Sequence, residues 1–149
     1  MISSPDDQGI GRFGSMASDR LGYLLKHVLA ELTEAQTKAL APHGLNGRDL
    51  AVLSAIVSGE PLSQLEVAAR LRVDRTSIGE LLDGLEERGF VERRRSPEDR
   101  RRNVVVLTSL GQSTFETAER VRLEVEREFL APLAAPDRFR DELRLLLGE

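Results

Sequence analysis

The chain has 149 residues, of which 31% are charged and 40% hydrophobic, and its formal net charge is −4 at pH 7. This composition is typical of a folded chain rather than a disordered one. The absence of cysteine excludes disulfides, thiolate metal sites and cysteine-based redox sensing. No apolar run reaches the ~18 residues that a membrane span needs, and the first 17 residues lack the apolar core of a signal peptide. We therefore expect a cytoplasmic protein with no membrane partner.

The N-terminal segment predicts a flexible arm followed by a long helix. Residues 1–17 are rich in Gly, Ser and Asp and have no hydrophobic period. Apolar residues then recur at three- and four-residue steps from Leu21 to Leu32, which is typical of one helical face. We expect Ser18 or Asp19 to cap this helix, which ends near Gly44.

Three short helices are predicted next, at about 47–58, 64–71 and 75–88. Each follows a capping residue that has apolar residues on both sides, and the three capping residues are Asn46, Ser63 and Asp74. Only residues 72–74 separate the last two helices, so we expect a helix-turn-helix. Gly89 is placed to end the third helix.

Two strands and two further helices complete the prediction. Phe90 to Arg94 and Val104 to Leu107 favour a β-hairpin with a long charged loop. Thr108 or Ser109 is expected to cap a long helix, and Pro136 fits the first turn of a final helix.

The predicted fold is mainly α with a small β-hairpin wing, a winged helix-turn-helix flanked by N- and C-terminal dimerisation helices. The terminal helices carry more apolar surface than a small domain needs, so a homodimer is expected; folding back on the chain's own core is the alternative. The predicted parts are an arm at 1–17, a dimerisation helix at 18–44, the winged domain at 45–108 and C-terminal dimerisation helices at 109–149.

The distribution of charge indicates a polyanionic partner. Seven arginines and three acidic residues lie between Arg88 and Arg102, a net charge of +4 on an otherwise acidic chain. Arg75, Thr76 and Ser77 begin the second helix of the helix-turn-helix, the end that enters a major groove in DNA-binding proteins. A helical hairpin with a polar face, next to a solvated charged loop, is the alternative.

The run SPEDRRRNVVVLTSLG at 96–111 is the part of the sequence that most closely matches the pattern of a known protein family. The segment from Leu45 to Gly111 resembles the multiple-antibiotic-resistance regulator (MarR) family of winged-helix transcription factors. The matching residues of the run are Pro97, Asp99, Arg100, Arg101, Leu107, Thr108 and Gly111.

The resemblance implies a homodimer with two winged lobes on double-stranded DNA. It makes Arg101 the wing-tip arginine and Asp99 its salt-bridge partner. The sequence departs from the family pattern at four positions, namely Ser96, Gly79, Glu80 and Gly84.

Eleven residues form the predicted DNA interface. Arg75, Thr76 and Ser77 are assigned to the major groove and Arg101 to the minor groove. Glu80 is repelled by phosphate but can accept a hydrogen bond from cytosine. The remaining residues are expected mostly to neutralise phosphate or to orient the wing: Arg93, Arg94, Arg95, Asp99, Arg100 and Arg102.

The resemblance also implies a small aromatic or phenolic ligand in a cleft between the dimer helices and the winged lobe. The candidate residues are Tyr23, His27, His43 and Asp49, each of which is alternatively an ordinary surface or core-edge residue. We expect no metal, no cofactor and no enzymatic activity, because the sequence has no clustered ligands and no nucleophile with a base.

The predicted function is a sequence-specific DNA-binding transcriptional regulator, a ligand-responsive repressor at a pseudo-palindromic operator. Two alternatives stay open: a winged-helix module that binds protein, and a constitutive DNA-binding protein without an effector.

Overall fold

The computed structural model describes residues 18–149; the predicted arm at 1–17 lies outside the described residues. The chain forms two compact units, one ending at Ala35 and one running from Gln36 to Glu149. In chain order the elements are α1 (Leu21–Leu40), a 3-10 turn (Ala41–His43), α2 (Gly47–Val57), α3 (Gln64–Leu71), α4 (Arg75–Glu87), β1 (Val91–Arg95), β2 (Asn103–Leu107), α5 (Ser109–Leu130) and α6 (Pro136–Leu147). No helix in the described part of the chain is long and apolar enough to cross a membrane.

The three predicted caps of the short helices are confirmed. Asn46 accepts a hydrogen bond from the N–H of Asp49 at 2.9 Å, and the Asp49 carboxylate accepts from the N–H of Asn46 at 3.1 Å. Ser63 and Glu66 form the same reciprocal box at α3. Asp74 caps α4 by accepting from the N–H of Ser77 at 2.8 Å. Each cap satisfies N–H groups that have no partner within the helix.

The predicted cap of the first helix is wrong. Helix α1 begins at Leu21, so Arg20 precedes it, and the Arg20 carbonyl accepts from the N–H of Leu24 at 3.1 Å. Ser18 and Asp19 lie two residues and one residue too early, because the chain is helical at Ser18 and turns at Asp19 before α1 starts.

A single apolar core joins α2, α3 and α4 to the wing and to α5 in the second unit. Its fully buried members include Leu53, Ile78, Leu82 and Val105. Burying a side chain of this size contributes about 1.5–3 kcal/mol relative to leaving it exposed. The tight turn between α3 and α4 places Arg72 in the left-handed region at φ 55°, which sets α4 across α3 as a helix-turn-helix.

The wing consists of β1, β2 and the wing loop at 96–102. The strands pair antiparallel from Val91 opposite Leu107 to Arg95 opposite Asn103. The first strand starts at Val91, one residue later than predicted. Phe90 instead closes the end of α4, because its N–H donates a hydrogen bond to the carbonyl of Leu85. Gly89, at φ 80°, makes this turn possible, as predicted.

Thr108 and Gly111 lock the base of the wing to α5. The Thr108 hydroxyl donates to the carbonyl of Gly89 at 2.6 Å and accepts from the N–H of Gly111 at 3.0 Å. A Cβ at Gly111 would lie 1.9 Å from the carbonyl oxygen of Phe90. The Leu-Thr-x-x-Gly pattern therefore has a steric cause, since only glycine allows α5 to approach the wing so closely.

Candidate nucleic-acid interface

The start of α4 presents a short polar face. Arg75 and Thr76 are exposed and Ser77 is half-buried. The Ser77 hydroxyl donates to the Asp74 carboxylate at 2.6 Å, so its proton is already used within the helix cap. Hydrogen bonds from the side chain and backbone of Ser77 hold the pKa of Asp74 below its usual value. The freely available donor groups at this helix end are therefore those of Arg75 and Thr76.

One of the two unusual glycines of α4, Gly79, is explained by its neighbour. A Cβ at Gly79 would lie 3.3 Å from Nε2 of Gln64, so the missing side chain lets α3 approach α4 closely. A Cβ at Gly84 would make only an ordinary contact with Arg88, at 3.6 Å, and nothing in the structure explains this glycine. Glu80 is exposed on the same helix, where its carboxylate is free to accept a hydrogen bond.

Several arginines of the cationic segment are held by acidic side chains of the protein itself. Arg93 lies between Asp83, at 2.7 Å, and Glu86, at 3.7 Å, which ties β1 to α4. Arg94 pairs with Glu92 at 3.5 Å, and Arg102 pairs with Glu66 of α3.

Arg88 is also paired within the protein. It donates two hydrogen bonds to the Asp49 carboxylate, at 3.0 and 3.1 Å. Sequence reasoning missed the Arg88–Asp49 and Arg102–Glu66 pairs, because the partners lie 39 and 36 residues apart in the chain.

Other arginines of the interface remain unpaired. Within residues 18–149, no acidic side chain forms an ion pair with Arg75, Arg95, Arg100 or Arg101. All four are exposed. An arginine without an acidic partner in the protein can bind a phosphate without first breaking an ion pair. These four arginines are therefore the available cations of the predicted interface.

The salt bridge implied between Asp99 and Arg101 is not formed. Asp99 instead accepts a hydrogen bond from the backbone N–H of Arg101 at 3.0 Å. Ser96 accepts from the N–H groups of Glu98 and Asp99 at 3.3 and 3.5 Å. The polar side chains of the wing loop therefore shape its backbone, and the Arg101 guanidinium is left unpaired among the described residues.

The four predicted ligand residues are divided between the two units, two in each. Tyr23 and His27 contact each other edge to face at 4.0 Å on α1, within the first unit. His43 is half-buried in the 3-10 turn. Asp49 is only 4% exposed, with its carboxylate taken up by the α2 cap and by Arg88.

A different set of residues lines a cleft of about 250 Å³ in the second unit. The lining residues are Gln36, Leu40, Gly47, Leu50, Ala51, Ser54, Glu119 and Arg122. Arg122 pairs with Glu119 and Glu126 along α5; these carboxylates raise the pKa of Arg122, and the same contact lowers the pKa of Glu119. No described group of three His, Asp or Glu side chains is placed to hold a metal ion.

Comparison with known proteins identifies the family. A family model described as the MarR family matches residues 43–102. A solved MarR-family transcriptional regulator from Rhodococcus sp. RHA1 is 33% identical, with a TM-score of 0.72, over 87% of this chain and 91% of that one. The chain belongs to the MarR family. The unpaired wing arginines and the exposed start of α4 are thus features of a MarR-family winged helix-turn-helix, the DNA-binding unit of a transcriptional regulator.

Similarity to two further regulators extends over most of the chain. CouR from Rhodococcus jostii RHA1, solved bound to p-coumaroyl-CoA, is 33% identical over 88% of this chain and 91% of that one, with a TM-score of 0.78. CouR has also been solved bound to a 23-mer DNA duplex, with a TM-score of 0.76. The HTH-type transcriptional regulator YwoH of Bacillus subtilis is 29% identical over 82% of this chain and 89% of that protein.

Proposed function

We propose that this MarR-family regulator is a ligand-responsive repressor that binds a pseudo-palindromic duplex as a homodimer. The observation that carries the proposal is the position of unpaired arginines on both parts of a winged helix-turn-helix. Arg75 lies at the start of α4, and Arg100 and Arg101 lie in the wing loop. CouR, a relative of the same fold, has been solved on a DNA duplex.

Each available residue has a distinct task on the duplex. Arg75 and Thr76 read bases in the major groove, where arginine recognises guanine through two hydrogen bonds. Arg101 enters the adjacent minor groove, whose potential attracts arginine where the groove is narrow. Arg95 and Arg100 neutralise phosphates. Phosphate contacts set the affinity and its dependence on salt, whereas base contacts set the sequence preference.

The homodimer is proposed from apolar surface on the terminal helices. On α1, Leu21 and Leu29 are 65% and 63% exposed. On α6, Leu145 and Leu146 are 73% and 76% exposed. Helices with such faces need a partner to exclude water from them, and a second copy of the chain supplies it. The dimer then presents two copies of α4 to half-sites one helical turn apart.

The effector is proposed to occupy the cleft between the end of α1, α2 and α5. Leu40, Leu50 and Ala51 offer apolar walls for an aromatic ring, and Arg122 offers a cation to a carboxylate. An aromatic acid that draws Arg122 away from Glu119 changes the contacts between α5 and α2. Such a change alters the spacing of the two α4 helices and releases the duplex.

The DNA-binding proposal is tested by titrating labelled duplex DNA with the protein and with two matched variants over a range of salt concentrations. Arg101→Ala is expected to bind at least tenfold more weakly and to stay dimeric. Arg94→Ala, which removes an arginine already paired with Glu92, is expected to change the affinity less. Equal affinity of Arg101→Ala and the parent overturns the wing assignment.

The effector proposal is tested by adding 4-hydroxybenzoate or p-coumarate to the protein–duplex complex. Release of DNA from the parent, but not from Ala51→Trp, supports the cleft, because the larger side chain fills it. Retention of DNA by the parent with both acids, and with a wider set of aromatic acids, favours the constitutive DNA-binding protein instead.

A further inference from the structure

The ion pair between Arg102 and Glu66 joins the wing to α3. Arg102 is the last residue of the wing loop, and Glu66 lies in the first turn of α3. The two residues are 36 positions apart in the chain. One more contact supports the same junction, a hydrogen bond from the N–H of Val105 to the carbonyl of Leu62 at 2.8 Å.

Glu66 is held in place by two sets of partners. One carboxylate oxygen accepts from the N–H of Ser63 at 2.7 Å, which completes the α3 capping box, and the same oxygen accepts from Arg102. The hydrogen bond from the Ser63 backbone, followed by those from the Ser63 hydroxyl and from Arg102, lowers the pKa of Glu66 below its usual value. The carboxylate therefore stays ionised at neutral pH and offers Arg102 a fixed anionic partner.

We infer that Glu66 and Arg102 position the wing, and that Arg102 is a positioning residue rather than a phosphate ligand. The inference rests on the proposed DNA-binding function and revises one of its predicted residues. Arg102 is neutralised within the protein, whereas Arg100 and Arg101 in the same loop have no acidic partner among the described residues. The pair holds the end of the wing loop against α3, and this fixes where Arg101 projects relative to α4.

The test uses two substitutions that act on the same pair. Glu66→Gln keeps the acceptor needed for the capping box, since glutamine serves that position as well as glutamate, but removes the charge that holds Arg102. Arg102→Gln removes the other partner. Glu98→Gln is the matched control, because it removes an equal charge from the wing loop and Glu98 forms no ion pair within the described residues.

The positioning role predicts that Glu66→Gln weakens duplex binding by about three- to tenfold, although it makes the protein less negative. An exposed ion pair contributes only modestly, but a dimer loses the pair on both wings. Glu98→Gln is expected to bind as well as the parent or better. The double variant Glu66→Gln/Arg102→Gln is expected to bind no more weakly than the weaker single variant, because both substitutions break one interaction.

Salt dependence separates positioning from phosphate binding. Arg102→Gln is expected to leave the slope of log affinity against log salt unchanged, whereas Arg100→Gln lowers its magnitude by ~0.9 for each phosphate contact that is lost. If Glu66→Gln binds DNA as tightly as the parent or more tightly, and Arg102→Gln reduces the slope, then Arg102 is a phosphate ligand and the inference is overturned.

A measurement without DNA keeps the inference separate from the proposed function. In the free protein, hydrogen exchange at the amide of Val105 reports on the junction of the wing with α3. Glu66→Gln is expected to speed this exchange severalfold, with Glu98→Gln unchanged. Unaltered exchange in Glu66→Gln contradicts the positioning role, and failure of the parent to bind any duplex contradicts only the proposed function.

Discussion

Asp49 and Arg88 form a bidentate ion pair between the first turn of α2 and the end of α4. The two nitrogen–oxygen distances are 3.0 and 3.1 Å. The Asp49 side chain is 5% exposed and that of Arg88 is 37% exposed. Arg88 also donates to the carbonyl of Gly44 at 2.6 Å. The pair thus joins three parts of the winged domain.

The first prediction concerns this pair. Asp49→Ala is expected to lower the free energy of unfolding by about 2 kcal/mol, because it leaves Arg88 without its anion and breaks the α2 capping box. The value is below that for a fully buried pair because Arg88 is partly solvated. Urea unfolding measures it. Asp137→Ala, at a side chain that is 95% exposed, is the control and should cost at most about 0.5 kcal/mol.

The second prediction concerns the close approach at Gly111. Gly111→Ala places a methyl group against the carbonyl of Phe90, a backbone atom that can yield only if the wing base moves. We expect a loss of about 2 kcal/mol in the free energy of unfolding, within the range for overpacked sites. Gly22→Ala, where a Cβ meets nothing within 4 Å, is the matched control. If Gly111→Ala unfolds at the same urea concentration as Gly22→Ala, the proposed contact is absent.

The same residues show how far the sequence predicts the structure. The caps of α2, α3 and α4 were predictable, because capping depends on residue types only three positions apart. The turn at Gly89 and the cap at Thr108 were predictable for the same reason. The cap of α1 was not, since Ser18 and Asp19 are the residue types that favour a cap, whereas the helix begins at Leu21, directly after Arg20.

The candidate site was less predictable than the fold. Sequence reasoning identified the cationic segment and assigned Arg101 to the minor groove, but it treated the other arginines alike as phosphate ligands: Arg93, Arg94, Arg95, Arg100 and Arg102. The structure separates Arg93 and Arg102, which have acidic partners, from Arg100 and Arg101, which have none among the described residues. That separation depends on which carboxylates the fold brings near, and a charge pattern along the chain carries no such information. The cleft beside Arg122 was missed for a similar reason, because helices distant in sequence form its walls.

The third prediction tests whether the arginines with acidic partners stabilise the fold while the unpaired arginines bind DNA. Arg93→Gln is expected to reduce the free energy of unfolding by about 1 kcal/mol, because Arg93 is partly buried between Asp83 and Glu86. Arg100→Gln is expected to leave unfolding unchanged and to reduce both the affinity for duplex DNA and the salt dependence of that affinity. Thermal unfolding and duplex titration of both variants measure the two effects. The reverse pattern, with Arg100→Gln destabilised and Arg93→Gln intact, contradicts the division.

The fourth prediction concerns the dimer. Leu146→Glu places a charge on the exposed apolar face of α6, where burial against a second copy is expected. A desolvated, unpaired carboxylate is costly, so the variant should be largely monomeric at micromolar concentration in sedimentation experiments. Arg138→Glu, at a residue of the same helix whose side chain is 80% exposed, should remain dimeric. A dimeric Leu146→Glu protein shows that α6 does not form the interface.

The central claim is that the protein reads a duplex sequence as a dimer, and selection from a random duplex library at about 0.15 M salt tests it most directly. The account predicts enrichment of an inverted repeat whose half-site centres lie ~10 bp apart, the spacing that places two recognition helices on one face of the duplex. Retention of DNA without any enriched sequence, or no retention of DNA at all, would contradict it.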